Sequence, residues 1–472
     1  MTLPTRIKHV VVLMFENRSF DHMCGWFGRG DGLGPGTFNL EDPVTPGSPA
    51  VPATRDAAYV GDLTIEPGHA LLDVNEQLFA SVVEPDPPIA TNSGFVWNYT
   101  RQAGNSPAGA RRVMRAFDPG SLPVLSTLAR EFVLCDRWFA SVPGPTWPNR
   151  FFTHAGTSGG FADNQFRDYQ FQTIYHRLDR EHHDWAIYFH DFPHAYTLAS
   201  LRTPKFAPHF PFAKQFFLDL KHGRLPAYSF IEPRYFDFLR WKANDLHPPH
   251  DVRLGEHLVA DIYEALRKSS AWDSSLLIVL FDEHGGLYDH VPPPATINPD
   301  GKDSISPPFR FHRLGPRVPA VVISPWVQQG VVDSTVFDHT SVIATVRELF
   351  DLGGPLTDRD GAAATLTHLL QGTARSGTPT ALERPPEPTA DAFHADGTKA
   401  AMTAEHVAAD LAIGAASSAP LTEFQRSLVE TAHSLQAFQP RRAGIVSRAR
   451  LVDNEHEGAV YVRELAARLF ER

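Results

Sequence analysis

"VVVLMFENRSFDHM" (residues 10–23) sends five apolar residues into Phe15 and then, without a turn residue, into Glu16 and Asn17. A run that is apolar at every position, with no polar alternation, suits a strand buried on both faces, as in a parallel sheet covered by helices. Similar runs recur at 131–136 (EFVLCD), 227–232 (AYSFIE), 275–282 (SLLIVLFD) and 318–325 (VPAVVISP). Between them, 251–272 carries apolar residues at helical spacing and reads as a crossover helix. The expected fold class is therefore α/β, with a mostly parallel central sheet sandwiched between helices.

A carboxylate and an amide at the end of such a strand demand a reason. In open α/β sheets the functional crevice lies beyond the carboxyl ends of the strands. A second strand candidate ends in Asp282 and Glu283. If the two strands are neighbours, four oxygen donors converge, and three carboxylates sharing one spot would raise each other's pKa unless a divalent cation takes up the charge. Glu16, Asn17, Asp282 and Glu283 are thus candidate ligands of one divalent metal ion, with Ca, Mg or Mn favoured by the all-oxygen donor set. The plainer alternative makes Glu16 the cap of a helix beginning at "NRSFDHM" and Asp282–Glu283 the start of a loop.

In "ASVPGPTWPNRFFTHAG" (140–156), Thr146 sits in a Pro-rich turn ahead of a helical stretch. A hydroxyl at a helix N-terminus faces the positive end of the dipole, which suits an approaching phosphate; an N-cap threonine is the structural alternative. Of 23 histidines, His247 and His290 rank first as site residues. His69 comes next, followed by His250, His284, His190 and the pair His182–His183. The glycines of "HGG" (284–286) allow a sharp turn beside the ligands. Trp97, Tyr99, Trp138, Trp147, Tyr235 and Trp241 offer faces for a choline-like cation.

The formal charge of −11 argues against a nucleic-acid partner. No apolar run approaches transmembrane length. Two cysteines exclude a disulfide framework and a cysteine zinc site, though one bridge stays open. The N-terminus shows no signal-peptide core, so the expected location is cytoplasmic as written, or periplasmic or secreted if a leader has been removed. A Gly/Pro/Asp-rich excursion spans 28–68, and a second Pro-rich segment (291–309) reads as a substrate-facing flap. Composition divides the chain into a catalytic domain at 1–373, a linker at 374–400 and a helical C-terminal extension at 401–472. The extension's amphipathic patterns suggest packing or assembly and no chemistry.

Four blocks, "ENRSFDHMCGWF" (16–27), "PGPTWPNRFFTHAGTS" (143–158), "DEHGGLYDHVPPP" (282–294) and "GPRVPAVVISPW" (315–326), resemble in sequence and order the bacterial phosphoesterase family of phospholipases C and an acid phosphatase, within the alkaline phosphatase superfamily. The resemblance implies a bound metal and a Ser or Thr nucleophile that becomes phosphorylated. Carried onto this chain, it places metal ligands at Glu16, Asn17, Asp282 and Glu283, and the nucleophile, itself a ligand, at Thr146. It implies a metal-dependent hydrolase of phosphate esters, most similar to a phospholipase C acting on a phospholipid. A phosphomonoesterase acting on a small phosphate ester is the alternative within the enzymes, and a non-catalytic metal-binding scaffold the alternative outside them. His247 and His290 are then expected in catalysis, and His69, His250 and His284 in substrate binding.

Overall fold

The computed structural model describes residues 6–102, 104–238, 241–388, 419–437, 452 and 454–470. Its centre is a seven-stranded sheet. In chain order the strands are β1 (His9–Phe15), β2 (Val133–Cys135), β3 (Trp185–Phe189), β4 (Tyr228–Glu232), β5 (Ser275–Phe281), β6 (Ala320–Ile323) and β7 (Val331–Asp333), arranged β7-β2-β6-β5-β1-β4-β3. β1 pairs in parallel with β4 and β5, and β4 in parallel with β3. Only β6 runs against its neighbours, antiparallel to both β5 and β2. The expected α/β class, with a mostly parallel sheet, is what forms.

The helices that matter for the site are α1 (Phe20–Cys24), α2 (Leu71–Phe79), α3 (Thr146–Ala155), α4 (Val252–Lys268), α5 (Thr340–Phe350), α6 (Glu423–Ala437) and α7 (Glu455–Phe470). Every residue of β5 and all but His9 of β1 are buried, the condition that an unbroken apolar run requires; each such side chain contributes about 1.5–3 kcal/mol of burial. β3 and β7 were not foreseen from sequence. β7 is three residues long, too short for a periodicity signal, and β3 lies at the sheet's edge.

The 28–68 excursion contains a small antiparallel ladder, Phe38–Leu40 against Ala50–Pro52. The 291–309 segment is not a flap over the expected site. It is pinned beyond the C-terminal end of α3, where Thr157 donates to Asp300 (2.9 Å) and Arg359 to the carbonyl of Ile297 (2.6 Å). Thr146 stands at the other end of that ten-residue helix, about 15 Å away.

Cys24 and Cys135 are buried free thiols. Among the described residues no helix is long and apolar enough to cross a membrane. The linker's residues 389–400 and the amphipathic pattern expected at 404–416 lie outside the described residues. The helices that are described, α6 and α7, bring Phe424, Leu428, Ala432, Ala459 and Val462 into the same apolar core as β1 and β5.

Candidate active site

β1 and β5 lie side by side in register, Phe15 opposite Phe281, so their carboxyl ends deliver Glu16–Asn17 and Asp282–Glu283 to one place. The plainer reading of Glu16 fails, because the N-cap of α1 is Ser19, which accepts from the amide of His22. Asn17 takes a left-handed backbone (φ 53°), which asparagine tolerates better than most residues, and donates its amide to Asp282 Oδ1 at 3.0 Å. Opposite it, Gly285 has φ 65°, and a Cβ there would stand 2.3 Å from the Asn17 carbonyl oxygen. The sharp turn read from "HGG" is therefore required by close approach as well as by torsion.

Thr146 is the first residue of α3 and is fully buried. Its hydroxyl donates toward Glu16 Oε2 (3.2 Å) and Asn17 Oδ1 (3.4 Å). The turn before it is held by Asn149, whose side-chain nitrogen donates to the carbonyls of Val142, Gly144 and Pro145 and whose oxygen accepts from Val142 N. All five expected metal and nucleophile positions are thus linked by direct hydrogen bonds, Glu283 through its backbone amide, which donates to Asp282 Oδ1 at 2.7 Å.

Arg150, Glu66 and Glu423 were missed from sequence. Arg150 lies four residues after Thr146, on the same face of α3, and is fully buried; its Nη2 stands 2.5 Å from Glu16 Oε1 and its Nε 3.5 Å from Asp282 Oδ2. Its guanidinium lies over the rings of Tyr235 (5.5 Å) and Phe424 (5.9 Å). The helical offset from Thr146 was the available signal.

The histidines divide. His69 Nδ1 lies 3.0 Å from the Pro67 carbonyl, leaving Nε2 between Glu66 Oε1 (3.8 Å) and Glu423 Oε2 (3.7 Å). His247 Nε2 is 3.2 Å from the same Glu66 oxygen and 3.0 Å from Asn17 Nδ2. His284 stands behind Glu283, between Glu283 Oε2 (3.2 Å) and Gln77 Oε1 (2.8 Å). His250 backs the His247 loop through Asp245 (2.6 Å) and Glu455 (3.5 Å).

His290 is a correction. It binds Asp21 (2.7 Å) and Asp31 (3.2 Å) in a separate cluster built on Arg317, because α1 carries Asp21 away from the strand tips. His190 bonds the Glu232 carbonyl, His182 is exposed and His183 packs on Phe350. Nor do the aromatics form a cation box. Trp138, Trp147 and Tyr235 are buried in the core, Tyr99 donates to the Ile65 carbonyl, and arginines already occupy the faces of Trp97 and Trp241.

Electrostatics follow from burial and charge. Burial pushes Glu283 up to about 8, against the pull of His69 and with the repulsion of Asp282; burial likewise raises Glu16 well above the usual carboxylate range despite Arg150. Burial opposes the charge on His69, but Glu283, Glu423 and Glu66 outweigh it and lift His69 to about 10. For Glu66, the hydrogen bond from His247 and the charges of His247 and His69 overcome burial and hold the carboxyl down to about 2. Burial, then the charge of His69, lowers His284 to about 3.

The donor set fits a hard divalent cation in its chemistry. Asp282 Oδ2 and Glu283 Oε1 are buried without a hydrogen-bond partner, and Glu16 Oε1 has only its ion pair with Arg150. Buried oxygens left in this condition are costly unless a cation approaches. Among the described residues, however, no three His, Cys, Asp or Glu side chains already surround a single ion position; Arg150 supplies the positive charge between Glu16 and Asp282.

A model of the Phosphoesterase family matches residues 7–353. The non-specific phospholipase C5 of Arabidopsis thaliana is 39% identical over 408 residues, 80% of this chain and 77% of that protein. The non-hemolytic phospholipase C of Pseudomonas aeruginosa is 28% identical over 397 residues, covering 74% of this chain and 54% of that protein. A solved structure of a protein in the alkaline phosphatase superfamily from Vibrio parahaemolyticus is 15% identical with TM-score 0.31, covering 53% of this chain and 65% of that chain.

Proposed function

The chain belongs to the Phosphoesterase family and is a hydrolase of phosphoric ester bonds; from that premise we propose that it is a phospholipase C-like phosphodiesterase that works through a phosphothreonine on Thr146 and depends on one divalent metal ion. The observation that carries this reading is the buried Thr146 hydroxyl at the start of α3, directed at Glu16 and Asn17 (3.2 and 3.4 Å), with His247 Nε2 3.0 Å from the Asn17 side-chain nitrogen.

Phosphoryl transfer asks the protein for an in-line nucleophile and for compensation of the charge on the phosphoryl oxygens. Thr146 Oγ1 attacks phosphorus, its proton passing toward Glu16 Oε2; the bond from phosphorus to the glycerol oxygen breaks, and the departing alkoxide takes a proton from an imidazole. His69 and His247 are the donors at hand, and Arg150 balances Glu16 and Asp282. Water then attacks the threonyl phosphodiester and passes a proton to the imidazole, the bond to Oγ1 breaks, the head group leaves as a phosphate monoester and the threonine oxygen regains its proton from Glu16. A divalent ion held by Glu16, Asn17, Thr146, Asp282 and Glu283, with Ca, Mg or Mn suited to those oxygens, would supply Lewis-acid stabilisation and lower the pKa of the threonine hydroxyl.

The test is hydrolysis of a phospholipid and of a simple phosphomonoester by wild type, by chelator-treated protein and by Thr146→Ala. The expectation is a higher kcat/KM on the diester, loss of turnover on chelation with recovery on adding a divalent ion, and loss of turnover in a Thr146→Ala protein of unchanged Tm. Wild-type-like turnover by Thr146→Ala removes the nucleophile assignment, and preference for the monoester makes the enzyme a phosphatase.

A further inference from the structure

Helix α6 of the C-terminal extension, whose sequence suggested packing or assembly and no chemistry, reaches the site with its first residue. Glu423 makes three ties there. Its backbone amide donates to Glu66 Oε2 at 3.1 Å. Its Oε1 accepts from Asn164 Nδ2 at 3.1 Å, and Asn164 in turn accepts from the amide of Trp147, the residue after the nucleophile, at 2.8 Å. Its Oε2 stands 3.7 Å from His69 Nε2, a buried nitrogen with no hydrogen-bond partner.

The next residues fix the helix in place. Phe424 lies over Arg150 (5.9 Å), Gln425 donates to the Tyr235 carbonyl (2.7 Å) and to Glu455 (3.0 Å), and Ser427 accepts from the indole of Trp147 (2.9 Å). α6 is therefore registered against both the nucleophile helix and the histidine side of the site.

We propose that Glu423 is a positioning residue of the active site, setting His69 and Glu66 for the phosphoryl oxygens and the leaving group through its carboxylate and its backbone amide; the assignment rests on the reading of Thr146 as nucleophile. His69 keeps Nδ1 on the Pro67 carbonyl, so the direction of its other nitrogen is set by the carboxylates it faces. Without Glu423, His69 Nε2 has one carboxylate within 4 Å, that of Glu66, in place of two, and the link from the site to the Trp147 amide through Asn164 loses its charged end. Charge-assisted hydrogen bonds are about twice as strong as neutral ones, and a misplacement of about 1 Å in a catalytic group costs about 10²-fold.

The experiment uses the full chain and compares Glu423→Gln, Glu423→Asp and Glu430→Gln, the last an exposed carboxylate on the same helix. Hydrolysis of a monomeric short-chain phosphatidylcholine gives kcat and KM, and thermal melts give Tm. The expected result is a fall in kcat of about 10- to 100-fold for Glu423→Gln with KM changed less than about threefold and Tm kept, partial recovery in Glu423→Asp, and wild-type values for Glu430→Gln. A kcat for Glu423→Gln within about twofold of wild type overturns the proposal, as does a loss that tracks a fall in Tm and is equal in Glu423→Asp. If wild type itself hydrolyses no phosphate ester, or Thr146→Ala turns over normally, it is the underlying reading of the enzyme that fails.

Discussion

Two buried arginine–carboxylate clusters stand at either end of the short turn that leaves β1, and they differ in how completely they are satisfied. Around Arg317 every group is used: Nε donates to Asp289 (2.9 Å), Nη1 to the carbonyls of Asp31 and Asp136 (2.7 and 2.9 Å), and Nη2 to Asp21 (3.0 Å). The remaining oxygen of Asp21 accepts from His290 and that of Asp289 from the amide of Asp21, while the Val291 amide adds a second bond to the Asp289 oxygen that Arg317 uses. Around Arg150 the account does not close. Its Nε and Nη1 lack hydrogen bonds, as do Glu16 Oε1, Asp282 Oδ2 and Glu283 Oε1. The closed network is scaffold; the open one is where the proposed chemistry of Thr146 and a divalent ion would act.

The comparison can be broken at its strongest point first. Thr146→Ala, beside the open cluster, is expected to lower kcat by about 10⁴-fold while the urea midpoint stays put; an equal loss of stability would make the open cluster structural too. Arg317→Met is expected to do the reverse. It strands Asp21 and Asp289 without their cation, costing about 3–5 kcal/mol in urea unfolding, with kcat per folded molecule kept within about twofold.

The histidines sharpen the contrast. His69→Asn is expected to lower kcat by about 10²-fold, whereas His290→Asn should leave steady-state kinetics near wild type, since its partners are Asp21 and Asp31. The smallest effect is in pH. Burial opposes the charge on His290, but the hydrogen bond and charge of Asp21 raise it above the ordinary 6.5. A raised folded value means that the folded state holds the proton more tightly, so this stabilisation is full below 6.5 and is lost as pH climbs through the folded value. The gap in unfolding free energy between wild type and His290→Gln should therefore narrow as pH rises from about 6 to 9, read from urea melts along that range; a gap that widens contradicts the pairing.

What sequence alone determined was what short-range pattern can carry. Apolar runs at β1, β2, β4, β5 and β6 and the helical spacing of α4 specified a buried, mostly parallel sheet, because a strand covered on both faces must be apolar at every position. The oxygen pairs at the ends of β1 and β5, and the hydroxyl in the Pro-rich turn, were visible because each sits at a boundary that the pattern itself marks. Only the tertiary structure decided which charges meet. Residues 16, 66, 146, 247, 282 and 423 come together across most of the chain, and nothing local to Glu66, Arg150 or Glu423 records the partner that each will face. His290 made the same point in reverse: it lies in a motif that resembles the site, yet α1 turns Asp21 toward Arg317 and takes the histidine with it. Periodicity is a property of neighbours in sequence, whereas the pairing of buried charges is settled by the packing that brings distant elements together.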